Sequence, residues 1–304
     1  MMTKSKKYQK LSCCELCPRK CKVNRFDKTG FCLAPSTCVV ARASLHFWEE
    51  PCISSKNGSG TVFFSGCNLK CVFCQNHDIS QKIKGKEITD EKLGEIFKRL
   101  QDKGANNINL VTPTPYVISV INALDMVKKD LFIPVIWNCG GYEDINTIKM
   151  LDGYIDIFLP DLKYFDSEIS KKYSSAPDYF EIAQKAIIQM VKQTGKYVMD
   201  EKGLLKSGVM IRHLILPNNR KDSINIIKFL SENFKKDDIL ISLMSQYTPP
   251  ETPLNYNELN RKLTSFEYKS VCEAVLKAGF EGYFQDKCSA KNEYTPSFDL
   301  TGVL

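Results

Sequence analysis

The sequence predicts an α/β fold, arranged as a partial (β/α)6 TIM-type barrel behind a cysteine-rich segment. After residue 59, six short apolar segments alternate with segments whose apolar residues recur at helical spacing. This alternation predicts parallel strands joined by right-handed helical crossovers. A full barrel needs eight such units, and six are visible. An open doubly wound sheet is the alternative, and in both folds the functional site lies at the carboxyl ends of the strands.

The elements follow one another in order along the chain. The predicted strands are Gly60–Gly66, Asn107–Val111, Ile133–Asn138, Tyr154–Pro160, Gly208–Pro217 and Asp238–Met244. The first long helix is predicted to begin after Thr89 as its N-cap and to stop at Gly104. Later helices are predicted to end near Lys129, Leu151, Thr194 and Ala278.

Cysteines divide the chain into two predicted units. Ten of the 13 cysteines fall within the first 74 residues. Residues 1–58 are predicted to form a cysteine-rich N-terminal segment, and residues 59–304 the barrel. No apolar run is long enough to cross a bilayer, and the first residues lack an apolar signal core. We therefore expect a cytoplasmic protein without a membrane partner, in which clustered cysteines bind metal rather than form disulfides.

The net charge of +7 is concentrated near the N-terminus. A basic region of this kind can attract nucleic acid or an acidic protein. It lacks interleaved aromatic residues, so a solvated lysine-rich surface is the favoured interpretation and nucleic acid is not the expected partner.

Three cysteines in the segment Gly66–Asn76 carry the predicted chemistry. Cys67, Cys71 and Cys74 have the spacing C-x3-C-x2-C and directly follow the first predicted strand. Soft thiolates suit iron–sulfur clusters and zinc. A closed [4Fe–4S] site uses four cysteines, so three would leave one iron open for reaction. The alternative is structural zinc with His77 as the fourth ligand, although common zinc ligand pairs are separated by a longer loop.

This segment resembles the radical S-adenosylmethionine (SAM) superfamily, whose signature places an aromatic residue before the last cysteine. Phe73 stands there, although ordinary core packing would also explain it. The resemblance implies a [4Fe–4S] cluster on Cys67, Cys71 and Cys74, with S-adenosyl-L-methionine as the second cofactor. It further implies reductive cleavage of SAM to methionine and a 5′-deoxyadenosyl radical that abstracts hydrogen from a substrate.

The likeness extends to relatives of pyruvate formate-lyase activating enzyme. Five segments carry it: CELCPRKCKVNR, GTVFFSGCNLKCVFCQN, NINLVTPTPY, GYIDIFLPDLKY and IRHLILP. It implies an oxidoreductase that makes a glycyl radical on a protein substrate, with a reductant such as flavodoxin or ferredoxin.

The same resemblance implies four cofactor-binding residues. Asp161 and Lys163 match a D-x-K segment that helps to bind SAM, His213 aligns with a late-strand histidine, and Asn138 with a polar residue on the cofactor side. The alternatives are a surface ion pair for Asp161 and Lys163 and a core histidine for His213. The sequence departs from the pattern at Thr112–Pro115, where the activating enzymes carry a G-G-E-type segment that holds the methionyl amino group.

A second group of cysteines lies nearer the N-terminus. Cys14, Cys17, Cys21 and Cys32, with Cys13 as an alternative first ligand, have a spacing compatible with a closed four-thiolate site for zinc or a second iron–sulfur cluster. The competing interpretation is reduced, unliganded cysteines. The isolated Cys139, Cys272 and Cys288 are predicted to pack in the core.

Three functions remain open from the sequence. The first is activation of a partner protein by a glycyl radical. The second is radical modification of a small molecule, peptide or nucleic acid. The third is not enzymatic: a zinc-binding module that recognises a partner.

Overall fold

The computed structural model describes residues 7–250, 252–285 and 296–304. In these residues the strands are β1 Cys38–His46, β2 Ser59–Phe64, β3 Lys86–Ile88, β4 Ile108–Val111, β5 Val135–Cys139, β6 Ile157–Pro160, β7 Val198–Met199, β8 Leu205–Leu214, β9 Leu240–Met244 and β10 Gly282–Phe284. The α-helices are α1 Pro51–Ser54, α2 His77–Ser80, α3 Asp90–Asp102, α4 Val117–Val127, α5 Ile145–Met150, α6 Ser167–Ser174, α7 Tyr179–Thr194, α8 Arg220–Asn233 and α9 Ser265–Ala278.

One sheet runs through the described part of the chain, in the order β10-β9-β8-β6-β5-β4-β2-β1-β3. From β10 to β2 every neighbouring pair is parallel, whereas β1 is antiparallel to both β2 and β3. Helices connect the parallel strands, as parallel pairing requires. This mostly parallel α/β sheet of the partial-barrel type confirms the predicted fold class.

The sheet is covered on both faces. Strands β2, β4, β5, β6 and β9 are buried at every residue, which explains their mostly apolar sequences. Helix α3 begins as predicted, with the Thr89 side chain accepting a hydrogen bond from the Lys92 backbone N–H. Its Leu93, Ile96 and Phe97 are fully buried in the core.

The N-terminal segment contributes a strand to the sheet. In β1, Ser44 pairs with Thr61 and Ala43 with Val62 of β2, so the predicted boundary between residues 58 and 59 lies between two paired strands. Leu11 and Leu16 belong to the same hydrophobic cluster as the barrel residues. The segment therefore packs as part of the main core.

The sequence prediction missed β10, which extends the parallel run beyond β9. Its three residues are exposed or half-buried, so they form no apolar segment that a pattern could reveal. Among the described cysteines, all are free thiols; Cys139 is buried in β5 and Cys272 half-buried on α9. Cys288 lies outside the described residues. No helix within them has the length and apolar character to span a bilayer.

Candidate functional site

The three predicted cluster ligands lie on residues 66–76, the cysteine loop, which begins two residues after β2. Gly66 has φ +93°, and a Cβ there would stand 2.6 Å from the carbonyl oxygen of Cys32. Only glycine combines this backbone conformation with such a close approach. The Val72 backbone N–H donates to the Tyr173 carbonyl at 2.9 Å, which ties the loop to α6. The loop is thus held between the N-terminal segment and α6.

Each of the three sulfur atoms accepts a hydrogen bond from the protein. The donors are the Leu69 backbone N–H to Cys67 (3.4 Å), the Ser174 hydroxyl to Cys71 (2.9 Å) and the Ser80 hydroxyl to Cys74 (3.3 Å). Burial raises the pKa of Cys67 to about 12 and also raises the pKa of Cys74, with the neighbouring thiols adding to the effect. Binding of a metal to these thiols therefore releases protons.

The zinc alternative gains no support from the placement of His77. Its imidazole is exposed and lies 3.0 Å from the Asp78 carboxylate. Within residues 7–250, 252–285 and 296–304, no three His, Cys, Asp or Glu side chains are close enough to hold one metal ion. An iron–sulfur cluster makes a different demand, since each iron takes its own thiolate.

Phe73 packs among three tyrosines. Its ring meets those of Tyr164, Tyr173 and Tyr247 edge to face, with centroids 6.1–6.5 Å apart. Such contacts stabilise beyond the area they bury. Phe73 also lines the cleft described next, so it joins the cysteine loop to the wall of the site.

A cleft opens at the carboxyl ends of the parallel strands. Its lining includes Cys71 and Cys74 together with residues at or just after five strand ends: Phe63, Val111, Asn138, Asp161 and Met244. This is the end of the sheet at which the sequence predicted the chemistry. The thiols and the polar strand ends therefore share one cavity.

An ion-pair network occupies one side of the cleft. Arg212 of β8 donates from Nε to Asp161 Oδ1 at 2.9 Å, and a second guanidinium nitrogen lies 2.6 Å from Asn138 Oδ1. The Lys163 ammonium donates to Asp161 Oδ2 at 2.5 Å. Burial opposes ionisation of Asp161, but Arg212 and Lys163 outweigh it and hold the pKa below its usual value. The structure thus brings Asn138, Asp161 and Lys163 together. They lie at or near the strand ends, where the sequence analysis expected them.

Two residues that the sequence analysis did not single out complete this network. Arg212 lies at its centre, and Glu49 reaches it with Oε2 3.5 Å from the guanidinium while accepting from the Asn109 amide at 3.1 Å. Burial raises the pKa of Glu49, which Arg212 partly offsets. The sequence could have indicated Arg212, because it is a charged residue within the mostly apolar segment GVMIRHLILP. Glu49 precedes α1 and had no comparable signal.

His213 lies on the opposite side of β8 from Arg212. Its Nδ1 is 2.6 Å from the Leu162 carbonyl, its Nε2 is 2.8 Å from the Ser223 hydroxyl, and it is 1% exposed. Successive strand residues point to opposite faces, so Arg212 rather than His213 lines the cleft. The buried, hydrogen-bonded position of His213 is the one expected of the alternative, a core histidine, and its cofactor role stays a prediction.

The unusual Thr112–Pro115 segment turns the chain at the end of β4. Thr112 adopts φ +58°, and its backbone N–H donates to the Asn138 carbonyl at 2.9 Å. The Thr114 hydroxyl donates to the buried Glu143 carboxyl at 2.7 Å, so it is engaged away from the cleft. Burial raises the pKa of Glu143 to about 8. Strained backbone of this kind at a strand end is typical of functional sites.

The donor set fits the two implied cofactors. Three thiols on one loop suit an iron–sulfur cluster with one open iron. The same cleft presents a carboxylate, an ammonium, a guanidinium and an amide, which match the charged ends of an amino acid. The ligand roles of Cys67, Cys71, Cys74, Asn138, Asp161 and Lys163 remain predictions.

Comparison with protein families matches residues 61–230, more than half of the 304 residues, to the Radical SAM superfamily. Two proteins of Methanocaldococcus jannaschii are similar to the chain. The uncharacterized protein MJ0674 is 32% identical over 87% of this chain and 74% of its own length. The uncharacterized protein MJ0808 is 24% identical over 93% and 84%, respectively.

One solved structure shows the same fold. A radical SAM methyltransferase from Sphaerobacter thermophilus superposes with a TM-score of 0.51 at 10% identity, covering 74% of this chain and 66% of its own. SuiB of Streptococcus suis, bound to the precursor peptide SuiA, reaches 0.48 at 16% identity over 72% of this chain and 46% of its own. The chain therefore spans less than two thirds of either structure.

Proposed function

This chain belongs to the radical SAM superfamily, and we propose that it is an activating enzyme that makes a glycyl radical on a partner protein. The cofactors of the family are a [4Fe–4S] cluster and S-adenosyl-L-methionine. When bound, the reduced cluster would give one electron to SAM, which would cleave to methionine and a 5′-deoxyadenosyl radical able to take one hydrogen atom from a substrate and become 5′-deoxyadenosine. The protein contributes binding, orientation and exclusion of water.

One observation carries the cofactor assignment: two of the three thiols, Cys71 and Cys74, line the same cleft as the ion-pair network. In our proposal Cys67, Cys71 and Cys74 would each hold one iron and leave the fourth without a protein ligand, open to the amino acid end of SAM. Lys163 and Arg212 would donate hydrogen bonds to its carboxylate, and Asp161 would accept them from its amino group.

The apolar part of the lining protects the reaction. Phe63, Val111, Leu214 and Met244 line the cleft together with its polar residues. Such walls keep water from the reacting groups and strengthen the ionic contacts inside. A carbon radical made there is sheltered from side reactions.

The activating role rests on the five segments that resemble relatives of pyruvate formate-lyase activating enzyme. Reduction by a flavodoxin- or ferredoxin-type protein belongs to the same proposal. Asp161 and Lys163, the residues of the D-x-K segment, lie in the cleft beside Cys74, which supports it.

The first experiment measures reductive cleavage of SAM. The protein is reconstituted with iron and sulfide without oxygen, reduced with dithionite and assayed for 5′-deoxyadenosine. We expect product from the wild type and from a Cys272→Ser control, and none from a Cys67→Ala/Cys71→Ala/Cys74→Ala variant. Zinc at the site with no iron and no product would refute the enzyme assignment.

A second experiment separates activation from other radical chemistry. The reduced protein and SAM are incubated with a candidate glycyl-radical protein, and electron paramagnetic resonance is recorded. We expect a glycyl radical signal that appears only with SAM and the intact cysteine loop. If 5′-deoxyadenosine forms only with a small molecule, peptide or nucleic acid, the activating role is wrong while the superfamily chemistry stands.

A further inference from the structure

We propose that Cys14, Cys17, Cys21 and Cys32, here called the cysteine quartet, bind a second [4Fe–4S] cluster with one thiolate on each iron. The quartet lies outside the cleft, and the proposed function does not use it. A closed cluster of this type takes four cysteine ligands, and the quartet supplies that number.

The fold brings the four cysteines into one neighbourhood. The Lys22 backbone N–H donates to the Cys14 carbonyl at 2.9 Å, and the Lys20 N–H donates to the Cys17 carbonyl at 3.0 Å. A Cβ on Gly30, two residues before Cys32, would lie 2.9 Å from Cys21 Sγ. Cys13 is exposed, so the structure selects Cys14 over Cys13 as the first member.

A backbone N–H group already points at one of the four sulfur atoms: Phe31 donates to Cys21 Sγ at 3.4 Å. The cysteine loop has a matching contact, in which the Leu69 N–H donates to Cys67 Sγ at 3.4 Å. Hydrogen bonds to the sulfur ligands are one of the means by which proteins tune iron–sulfur clusters.

The backbone between these cysteines is shaped by turns rather than by regular structure. Lys20 and Lys22 have φ of +41° and +55°. The Cys14 backbone N–H donates to the Val23 carbonyl, and the Lys22 N–H donates to the Cys14 carbonyl, both at 2.9 Å. Residues 12–37, all of them described, contain neither helix nor strand. A bound cluster would cross-link such a segment and contribute directly to its folding.

The cofactor class of the family favours a cluster over a single zinc ion. Four thiolates can hold either a tetrahedral zinc ion or a closed [4Fe–4S] cluster. The cysteine loop belongs to a family whose metal cofactor is an iron–sulfur cluster. The Cys32 carbonyl lies against Gly66 of that loop, so we assign the same cofactor class to the quartet.

The quartet is built against the cysteine loop. Arg19 donates from Nε to the Asn68 carbonyl at 2.9 Å, and its guanidinium carbon lies 4.0 Å from the centre of the Phe31 ring. The Cys32 carbonyl packs against Gly66, where no side chain would fit. Both groups of cysteines therefore form one continuous structure.

The test measures iron and acid-labile sulfide per chain after anaerobic reconstitution. We expect about eight irons in the wild type and about four in the Cys67→Ala/Cys71→Ala/Cys74→Ala variant, which keeps the quartet intact. Reduction of that variant should still give the electron paramagnetic resonance signal of a [4Fe–4S] cluster, unchanged by SAM. A Cys17→Ser/Cys32→Ser variant should keep about four irons with a signal that SAM perturbs, and Cys13→Ser should keep about eight.

The Cys67→Ala/Cys71→Ala/Cys74→Ala variant, here called the loop variant, tests the second cluster even if the Cys17→Ser/Cys32→Ser variant does not fold. Loss of all iron from the loop variant, with circular dichroism showing that it is folded, would overturn the proposal. One tightly held zinc per chain in that variant would overturn it as well. Neither result would affect cleavage of SAM by the wild type, so the two proposals fail separately.

Discussion

Arg212 and Asp161 join the ends of two neighbouring strands: Arg212 Nε lies 2.9 Å from Asp161 Oδ1, and the two residues also form a parallel β-bridge. Both side chains are about 15% exposed and line the cleft. Lys163 is a second cation beside Asp161, and Glu49 is a second carboxylate beside Arg212. This pairing places one cation at the point where β5, β6 and β8 end together.

Replacement of Arg212 by Met should destabilise the protein by about 3–5 kcal/mol, because it leaves the buried Glu49 carboxylate without its cation and Asp161 with Lys163 alone. Urea unfolding monitored by circular dichroism measures the loss. The double variant Arg212→Met/Asp161→Asn should lose less than the sum of the single changes. Additive losses would mean that the two side chains do not interact. Lys196→Met, which removes a fully exposed pair with Asp237, serves as the control and should change nothing measurable.

Replacement of Lys163 by Met should weaken SAM binding by about 10- to 100-fold, the effect of losing one hydrogen bond to a charged group. Equilibrium dialysis with reconstituted protein measures the dissociation constant. Lys185→Met removes an exposed lysine on α7 and should leave it unchanged. An unchanged constant for Lys163→Met would remove Lys163 from the cofactor site.

His213 should support stability near neutral pH without contacting the cofactor. Burial lowers its pKa from 6.5 to about 4, so between these values the unfolded chain binds a proton that the folded protein does not. Stability should therefore fall by about 2–3 kcal/mol as the pH drops from 7 to 4.5. His213→Asn should reduce this loss of stability between pH 7 and pH 4.5, as measured by urea unfolding of the metal-free protein. A large change in SAM affinity in the same variant would instead place His213 at the cofactor.

Glu143 should produce a pH dependence of the opposite sign. Burial raises its pKa from 4.5 to about 8, so the folded protein keeps a proton that the unfolded chain has lost. The free energy of unfolding should therefore fall as the pH rises from 4.5 to 8, and Glu143 should contribute on the order of 3 kcal/mol to this fall. Glu143→Gln keeps an acceptor for Thr114 and should make the variant relatively more stable at pH 8 than at pH 5. If the stability difference between Glu143→Gln and the wild type is the same at pH 5 and pH 8, Glu143 is not protonated in the folded protein.

Two glycines allow the crowding around the cysteine loop to be measured. Gly66 and Gly104 have φ of +93° and +84°, but only at Gly66 would a Cβ meet another residue, at 2.6 Å from the Cys32 carbonyl. Gly104→Ala should cost about 1 kcal/mol of backbone strain. Gly66→Ala should cost more and lower the iron content after reconstitution. Equal stability and equal iron content would show that the loop does not depend on this contact.

The sequence determined the features that act between neighbouring residues. Apolar periodicity located the six predicted strands, and Thr89 marked the start of α3 through a hydrogen bond to the N–H three residues on. The C-x3-C-x2-C spacing placed three thiols on one loop after a strand. These signals are local, so no knowledge of distant contacts was needed.

Only the tertiary structure decided which side chains meet. Arg212 and His213 are adjacent in one strand, and only the stacking of α8 on the sheet shows that His213 faces Ser223 while Arg212 faces the cleft. Glu49 enters the site from a segment that precedes the first predicted strand. The pairing of β1 with β2 likewise adds to the sheet a segment, Cys38–His46, that the sequence analysis did not predict as a strand. Contacts of this kind depend on strand order and on the face that each residue presents, and both arise from packing of the whole chain.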